Sequence, residues 1–441
     1  MDKKDPDLLE KVRQQFDSGP YPRQALEKSP KDNVDFLYIH SLITPYYLRN
    51  QRFIETEGKV ILDAGCGSGY KALALAEANP GAKIVGIDFS AESVKLAQKR
   101  LQYHNIPNAE FYTLAIEELP SLGMEFDYIN CDDVLYLLSD AAVGLKAMKS
   151  VLKPDGIIRA NLHSYLQRFH YYRAQKVFKM MGLTDENPQE MEIELVRDTM
   201  KALKDNVWLK AQTWNARFEE EDEAVLANHL LQGDKGSTIP EMFSALEAAG
   251  LEFISMVNWR QWQLMDLFKD PEDLPLFLAV SLPETSIEER LHLCELLYPT
   301  HRLLDFWCGH PNQAKPWEPV AEWTSSDWQK AKVHLHPLLK TAAVKEELDL
   351  RITQLHPFEI SKQLPIAKQQ LSIDSTITAC LFPPLLESAQ SVQSLVQRWQ
   401  KLRPVDPLTL ERTTEDEALA ILLQTLTGLE SFGYVLLECQ S

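Results

Sequence analysis

The sequence predicts an α/β fold built on a parallel sheet, followed by a mainly helical domain and a small C-terminal α+β unit of winged-helix type. Three observations predict it. Short apolar runs of strand type alternate with helical periodicity between residues 59 and 162, the rhythm of βαβ units. Helical periodicity alone dominates from about residue 165 to about 350. The chain then closes with two helical stretches and the strand-like Gly433–Glu438.

In chain order, residues 1–55 are polar and rich in Pro and aromatics, and read as a helical lead-in over the pocket at the sheet edge. Lys59-Val60-Ile61-Leu62-Asp63 is the first strand, Gly65–Gly69 a turn and Tyr70–Glu77 a helix. Lys83–Asp88 is the second strand. Ser90–His104 is a helix, with Ser90 as N-cap and Glu92 in its first turn. Strands follow at Ala109–Leu114 and Phe126–Cys131, a helix at Ala141–Leu152 and a strand at Gly156–Leu162. Beyond residue 165, helical stretches are broken at Gly182, Pro188, Gly233, Pro271, Pro299 and Pro311. Residues 351–375 carry Pro357 and Pro365 and read as a connection. Helices are expected around Leu385–Leu402 and Glu415–Ser431. The domain borders drawn from this reading are 1–55, 56–165, 166–370 and 371–441.

The 441 residues carry 45 Lys+Arg against 64 Asp+Glu, a net charge of −19. Such a chain is a poor non-specific binder of nucleic acid, because phosphate contacts need clustered cations. It lacks the basic amphipathic face that suits an anionic membrane. No run of about 18 apolar residues is present to span a bilayer, and the start, Met1–Pro6, has no apolar signal core. A cytoplasmic location is expected. The six cysteines, at 66, 131, 294, 308, 380 and 439, form no CxxC pair, and read as reduced thiols, not as zinc ligands or a disulfide framework. His334 and His336 alternate with no cysteine nearby, so no metal site is expected.

The strongest signal is Val60-Ile61-Leu62-Asp63-Ala64-Gly65-Cys66-Gly67-Ser68-Gly69. Glycine permits positive φ and close approach of a ligand to the backbone, but glycines alone are weak evidence. Three acidic positions sharpen it. Asp63 precedes the first glycine by two residues. Asp88 ends the next strand, where a carboxylate can accept bonds from both ribose hydroxyls. Glu117, beside Ile116, follows the third strand, where it can meet an adenine amino group. A dinucleotide fold asks instead for GxGxxG with a pyrophosphate at the helix N-terminus. The plainest alternative, a bare tight turn, leaves the three acidic positions unexplained.

This set resembles motif I and the following acidic positions of the Rossmann-like class I S-adenosyl-L-methionine methyltransferases. The resemblance implies that the loop backbone receives the methionine part of the cofactor, that Asp88 is the ribose acid, and that Asp63 acts through loop and water contacts. Ala64, Phe89, Ile116 and Cys131 complete the expected cofactor-binding set. After the fourth strand, Cys131-Asp132-Asp133 lies at the C-terminal edge of a parallel sheet, where α/β ligands bind. The Asn/Asp-Pro-Pro-aromatic motif of DNA and glutamine methyltransferases is missing there. Asp132 or Asp133 could orient or deprotonate the acceptor; Asp133 could equally cap a helix. His163, ending the fifth strand, could serve as a base or only as a hydrogen-bonding group.

Phe16-Asp17-Ser18-Gly19-Pro20-Tyr21-Pro22 places Tyr21 between two prolines in an extended turn, from which its phenol could reach the pocket. This lead-in, with Asn228–Leu231 and Ile239–Leu251, resembles a two-part methyltransferase subgroup that includes the rickettsial outer-membrane-protein lysine methyltransferases. In that subgroup a helical regulatory domain and a winged-helix-like domain follow the catalytic one. The stretch Leu162–Arg168 departs from the subgroup's pattern. Phe16–Pro22, Thr44–Asn50 and Phe306–Pro311 also resemble a group of cyanobacterial methyltransferases, which implies an asparagine of a phycobiliprotein β subunit as one target.

The expected function is methyl transfer to a side-chain nitrogen of a protein, because about 200 residues beyond the catalytic core are many for a small-molecule enzyme. A small-metabolite acceptor and a cofactor-binding regulator without turnover are the alternatives. Trp259-Arg260-Gln261-Trp262 reads as an interface anchor or a stacking site, and Glu219–Glu223 as a solvated acidic face.

Overall fold

The computed structural model describes residues 21–138, 140–367 and 369–439. The chain divides into two compact units. One holds Gly58–Ala76, Ala82–Gln313 and the described residues up to Ser29; the other holds Pro30–Glu57, Glu77–Gly81 and the chain from Ala314. The Phe16–Pro20 part of the lead-in motif lies outside the described residues.

The first unit is organised by an eight-stranded sheet. Its strands are β1 (Val60–Ala64), β2 (Lys83–Asp88), β3 (Ala109–Thr113), β4 (Phe126–Cys131), β5 (Leu152–Ser164), β6 (Gly236–Ser237), β7 (Glu252–Met256) and β8 (Leu303–Gly309). The order is β3-β2-β1-β4-β5-β8-β7, with β6 paired to β5. Strands β1 to β5 run parallel; β8 joins β5 and β7 antiparallel. The central strands are buried on both faces, which explains their unbroken apolar runs. The helices that connect them begin as their sequence asks: Ser90 accepts from Ser93 N and caps Ala91–Tyr103.

The borders drawn from sequence do not coincide with these units. The sheet closes only with β7 and β8, which come from a stretch read as mainly helical, and Ile157–His163 pairs residue for residue with Leu303–Gly309. Residue 165 is therefore the start of an excursion, not the end of a domain. Helices Tyr165–Met180, Glu190–Ala202 and Asp222–His229 pack around Phe178, Val196, Met200 and Phe218, and the chain then returns to β6.

In the second unit, helices Val34–His40 and Ile43–Asn50, expected over the pocket, belong with the C-terminal elements. Tyr47 donates to Glu430 Oε1 at 2.8 Å and accepts from Leu437 N at 3.0 Å. The small sheet runs Gln390–Ser391, Ala331–Leu335, Val435–Cys439. Its central strand is the His334 segment, where the alternation of His334 and His336 suits a strand. Val333 and Leu335 point into the core of this unit, while Lys332 on the opposite face is half-buried.

Candidate active site

The glycine turn lies between β1 and helix Tyr70–Ala78, at the C-terminal edge of the sheet. Gly65, Gly67 and Gly69 all have positive φ, at 83°, 49° and 79°. A Cβ on Gly67 would lie 2.0 Å from the Tyr21 carbonyl, and one on Gly65 would lie 2.4 Å from Val134 Cγ2, so neither position admits a side chain. The Tyr21–Leu26 segment is strapped across this turn. Ser68 N donates to Tyr21 O and Ser68 Oγ to Pro22 O. The buried Arg100 donates to Ser68 O, Gln24 O and Ala25 O. Tyr21 is thus carried to the sheet edge.

Asp88 accepts from Gly67 N and Ser90 N, one bond on each oxygen, both 2.9 Å. Asp63 accepts from Asn130 Nδ2 at 2.8 Å, while its other oxygen is buried with no hydrogen-bond partner among the described residues. Burial pushes the Asp63 carboxyl up to about 6, against the lowering effect of the Asn130 bond. Ala64 and Cys66 are buried at the same turn, Cys131 is buried at the end of β4, and Phe89 is partly exposed after β2. Ile116 is buried and Glu117 exposed in the short helix Ile116–Leu122. An orphaned carboxylate oxygen on Asp63, a turn that excludes side chains and a carboxylate at the end of β2 form a set that fits a nucleoside-bearing cofactor.

Asp63 carries a prediction. Its raised carboxyl holds a proton in the folded state between about pH 4 and pH 6, where the unfolded chain has lost it. The stability this group contributes is full below about pH 4 and lost as pH rises through about 6. Asp63→Asn keeps the shape of the protonated acid. It is expected to be more stable than the parent by about 1–3 kcal/mol near pH 8, with the gain vanishing near pH 4. Thermal melts of both proteins across that range check it; parallel curves would refute it.

Beyond the glycine turn, charged side chains form a continuous network. Lys71 Nζ, buried, reaches Asp132 O at 2.8 Å, Asp133 Oδ2 at 3.0 Å and Asp132 Oδ2 at 3.3 Å. Asp132 also accepts from Asn161 Nδ2 at 2.5 Å and Arg159 Nη1 at 3.5 Å. Arg159 forks onto Asp305, with Nε at 3.1 Å and Nη2 at 2.7 Å, and donates to Asn130 Oδ1. Asp133 sits in the left-handed region at φ 61° and does not cap a helix. Its other oxygen accepts from Arg302 Nη2 at 3.3 Å. Burial opposes its ionisation, but Lys71, helped by Arg302, outweighs that and holds the carboxyl below its usual range.

His163 is engaged at both nitrogens. Nδ1 lies 2.6 Å from Asp234 Oδ1, and Nε2 lies 2.9 Å from Arg302 Nη1. Arg302 can only donate, so the Nε2 lone pair is taken and the proton resides on Nδ1, toward Asp234. Burial lowers the His163 pKa, with the Asp234 bond opposing it, while the burial cost on Asp234 is outweighed by His163 and Arg168, bringing its carboxyl to about 2. In this arrangement His163 positions Arg302 and is not a free base. The Tyr136 ring stacks on it at 3.7 Å. The sequence reading missed Lys71, Arg159, Asp234, Arg302 and Asp305. A readable signal existed for Arg159 and Asp305: a charge inside an otherwise apolar strand needs a buried partner. Glu223, read as part of a solvated face, instead lines the pocket and accepts from Arg23 N at 3.2 Å.

Tyr21, Asp133, Tyr136, His163, Glu223 and Arg302 surround a cavity of about 80 Å³. Four of the sequence-predicted residues are placed around one point in this way: Tyr21, Asp133 and His163 on the cavity wall, and Asp132 on the Lys71 ammonium behind it.

Residues 55–224 match the family model described as a methyltransferase domain, and the fold is the mixed α/β sheet just described. The chain carries a methyltransferase domain. Its fold is similar to that of PKMT2 from Rickettsia typhi in complex with AdoHcy, with a TM-score of 0.58 and 18% identity, over 90% of this chain and 75% of that one. An uncharacterized protein of Synechococcus sp. is 25% identical over 316 residues, 71% of this chain and 73% of its own length. A ubiquinone biosynthesis O-methyltransferase of Acinetobacter baumannii is 32% identical over 130 residues, 28% of this chain and 53% of that enzyme. No helix among the described residues is long and apolar enough to cross a membrane.

Proposed function

We propose that the methyl acceptor is a side-chain nitrogen of a protein. The observation that supports this is the size of the acceptor cavity. Small-molecule sites enclose about 300–1,000 Å³, whereas this one is about 80 Å³. It admits the tip of a chain whose remainder stays outside. The resemblance of Asn228–Leu231 and Ile239–Leu251 to the regulatory domain of the rickettsial subgroup points the same way.

The cofactor, when bound, supplies a methyl group activated on a sulfonium. In this reading the backbone of Gly65–Gly69 and the free oxygen of Asp63 hold its amino-acid end. Asp88 takes the ribose hydroxyls, and the Ile116–Glu117 turn lies at the base, with Ala64, Cys66, Phe89 and Cys131 as walls. The chain's own part in the reaction is alignment and exclusion of water, worth roughly 7–11 kcal/mol when the geometry is near attack. Tyr21 and Tyr136 wall the cavity, and Asp133 accepts an N–H of the entering nitrogen. Lys71 and Arg302 keep Asp133 ionised, so it accepts and does not donate.

Two nitrogens make different demands. A lysine arrives as an ammonium, drawn by Asp133 and Glu223; Lys71 and Arg302 then favour its neutral form by like-charge repulsion. An asparagine amide arrives neutral and gains nucleophilic character from the bond to Asp133. The resemblance of Phe16–Pro22, Thr44–Asn50 and Phe306–Pro311 to cyanobacterial methyltransferases is what supports an asparagine of a phycobiliprotein β subunit as the target.

Tritiated S-adenosylmethionine added with purified protein to a lysate lacking this gene tests the reading. A labelled protein band is expected, and mass spectrometry of that band names the residue. Label confined to a solvent extract would replace the reading with a small-metabolite acceptor. Cofactor binding without label anywhere would replace it with a regulator.

A further inference from the structure

A second cavity, of about 640 Å³, lies in the first unit outside the acceptor site, in the excursion between β7 and β8. Its size is that of a binding site. Trp259, Met265, Leu274, Leu278 and Leu282 are among the apolar residues of its wall. Beside it, helix Leu276–Ser281 leaves Leu276 80%, Phe277 78% and Val280 64% exposed, an apolar surface of the kind that soluble proteins keep for partners.

The charge around the groove names the chemistry of the occupant. The lip Lys269-Asp270-Pro271-Glu272-Asp273 carries three carboxylates against one cation, Lys269. Glu272 lines the groove itself. The one cation in the wall, Arg290, is committed to Thr285 Oγ1 and Pro283 O. An apolar trough under an acidic lip fits an amphipathic helical segment whose apolar residues are flanked by Lys or Arg.

The groove is also built onto the acceptor site. Trp262, in its wall, stacks on His301 with ring centroids 4.5 Å apart. The next residue is Arg302, which holds Asp133 and His163. A ligand pressing on Trp262 therefore bears on the cation that sets the acceptor pocket.

We propose that this groove is a docking site for a basic amphipathic segment of the protein substrate, separate from the residue that is methylated. The proposal rests on the protein-acceptor reading above, and its test separates the two. A fluorescein-labelled leucine/lysine amphipathic peptide is titrated against the full-length protein, with a leucine/glutamate peptide as its counterpart. The basic peptide is expected to bind saturably with one site, and the acidic one not to bind. Leu278→Glu is expected to weaken binding at least tenfold. That variant adds negative charge, so attraction to the acidic chain alone would strengthen binding; unchanged or tighter binding overturns the proposal. Ala279→Trp, which fills the groove, is the second variant and is expected to act in the same direction. Self-association of the unliganded protein that Leu278→Glu dissolves, measured by sedimentation, would assign the groove to a second copy and overturn it too.

The labelling experiment is then repeated with Leu278→Glu. Protein bands labelled by the parent and at least tenfold weaker with the variant support docking. Equal bands overturn docking and leave the protein acceptor standing. Label only in the extract overturns the protein acceptor, and with it this role for the groove.

Discussion

Arg159→Leu is expected to lower the stability of the first unit by about 3–5 kcal/mol, the cost of leaving buried charges without their partner. For a unit of this size that is a fall in Tm of roughly 10 °C. Arg159 is 1% exposed and holds Asp305 through two bonds, at 3.1 and 2.7 Å, with Asn130 and Asp132 on its remaining face. Burial raises the Asp305 carboxyl to about 6 even with Arg159 beside it, so without the guanidinium that carboxyl must take a proton or disrupt the junction of β5 and β8. The double replacement of Arg159 and Asp305 by Leu is expected to recover most of the loss, because the attraction of a buried pair largely offsets its own desolvation. Thermal melts of the single and double variants check this. Equal destabilisation by both would mean that packing, not charge, holds the junction.

Asp133→Asn is expected to reduce methyl transfer by about 10²–10³-fold, the usual cost of removing one preorganised electrostatic contact from a reacting site, while cofactor affinity stays within about threefold. The substitution isolates charge from fold. Asp133 sits at φ 61°, and asparagine is among the few residues that hold this left-handed conformation readily. The amide keeps an oxygen for Lys71 or Arg302, but it cannot match a carboxylate held ionised between Lys71 and Arg302. Initial rates with labelled cofactor, alongside calorimetric titration of the cofactor, check both halves. Full activity in the variant would remove Asp133 from the acceptor site. Loss of cofactor binding would move it to the cofactor's side.

The sequence alone determined the features that depend on near neighbours. A glycine turn between an apolar strand and a helix needs only a dozen residues to be legible, and so do Asp63 at the end of β1, Asp88 at the end of β2 and the Ser90 cap. In each case the residue type answers a local demand of backbone geometry or hydrogen bonding. The methyltransferase domain was readable from these. The tertiary structure decided what joins residues far apart. Arg159 meets Asp305 across 146 residues and Arg302 meets Asp133 across 169. No periodicity records such pairs, because a strand's pattern shows that it is buried and not which strand lies beside it. For the same reason β7 and β8 were hidden in a helical stretch, and His163 looked like a free base until Asp234 and Arg302 were seen at its two nitrogens. The cavity that argues for a side-chain acceptor exists only where Tyr21, Asp133, Glu223 and Arg302, drawn from four separate segments, close on one another, since a site's volume is a property of the packing of all its walls at once.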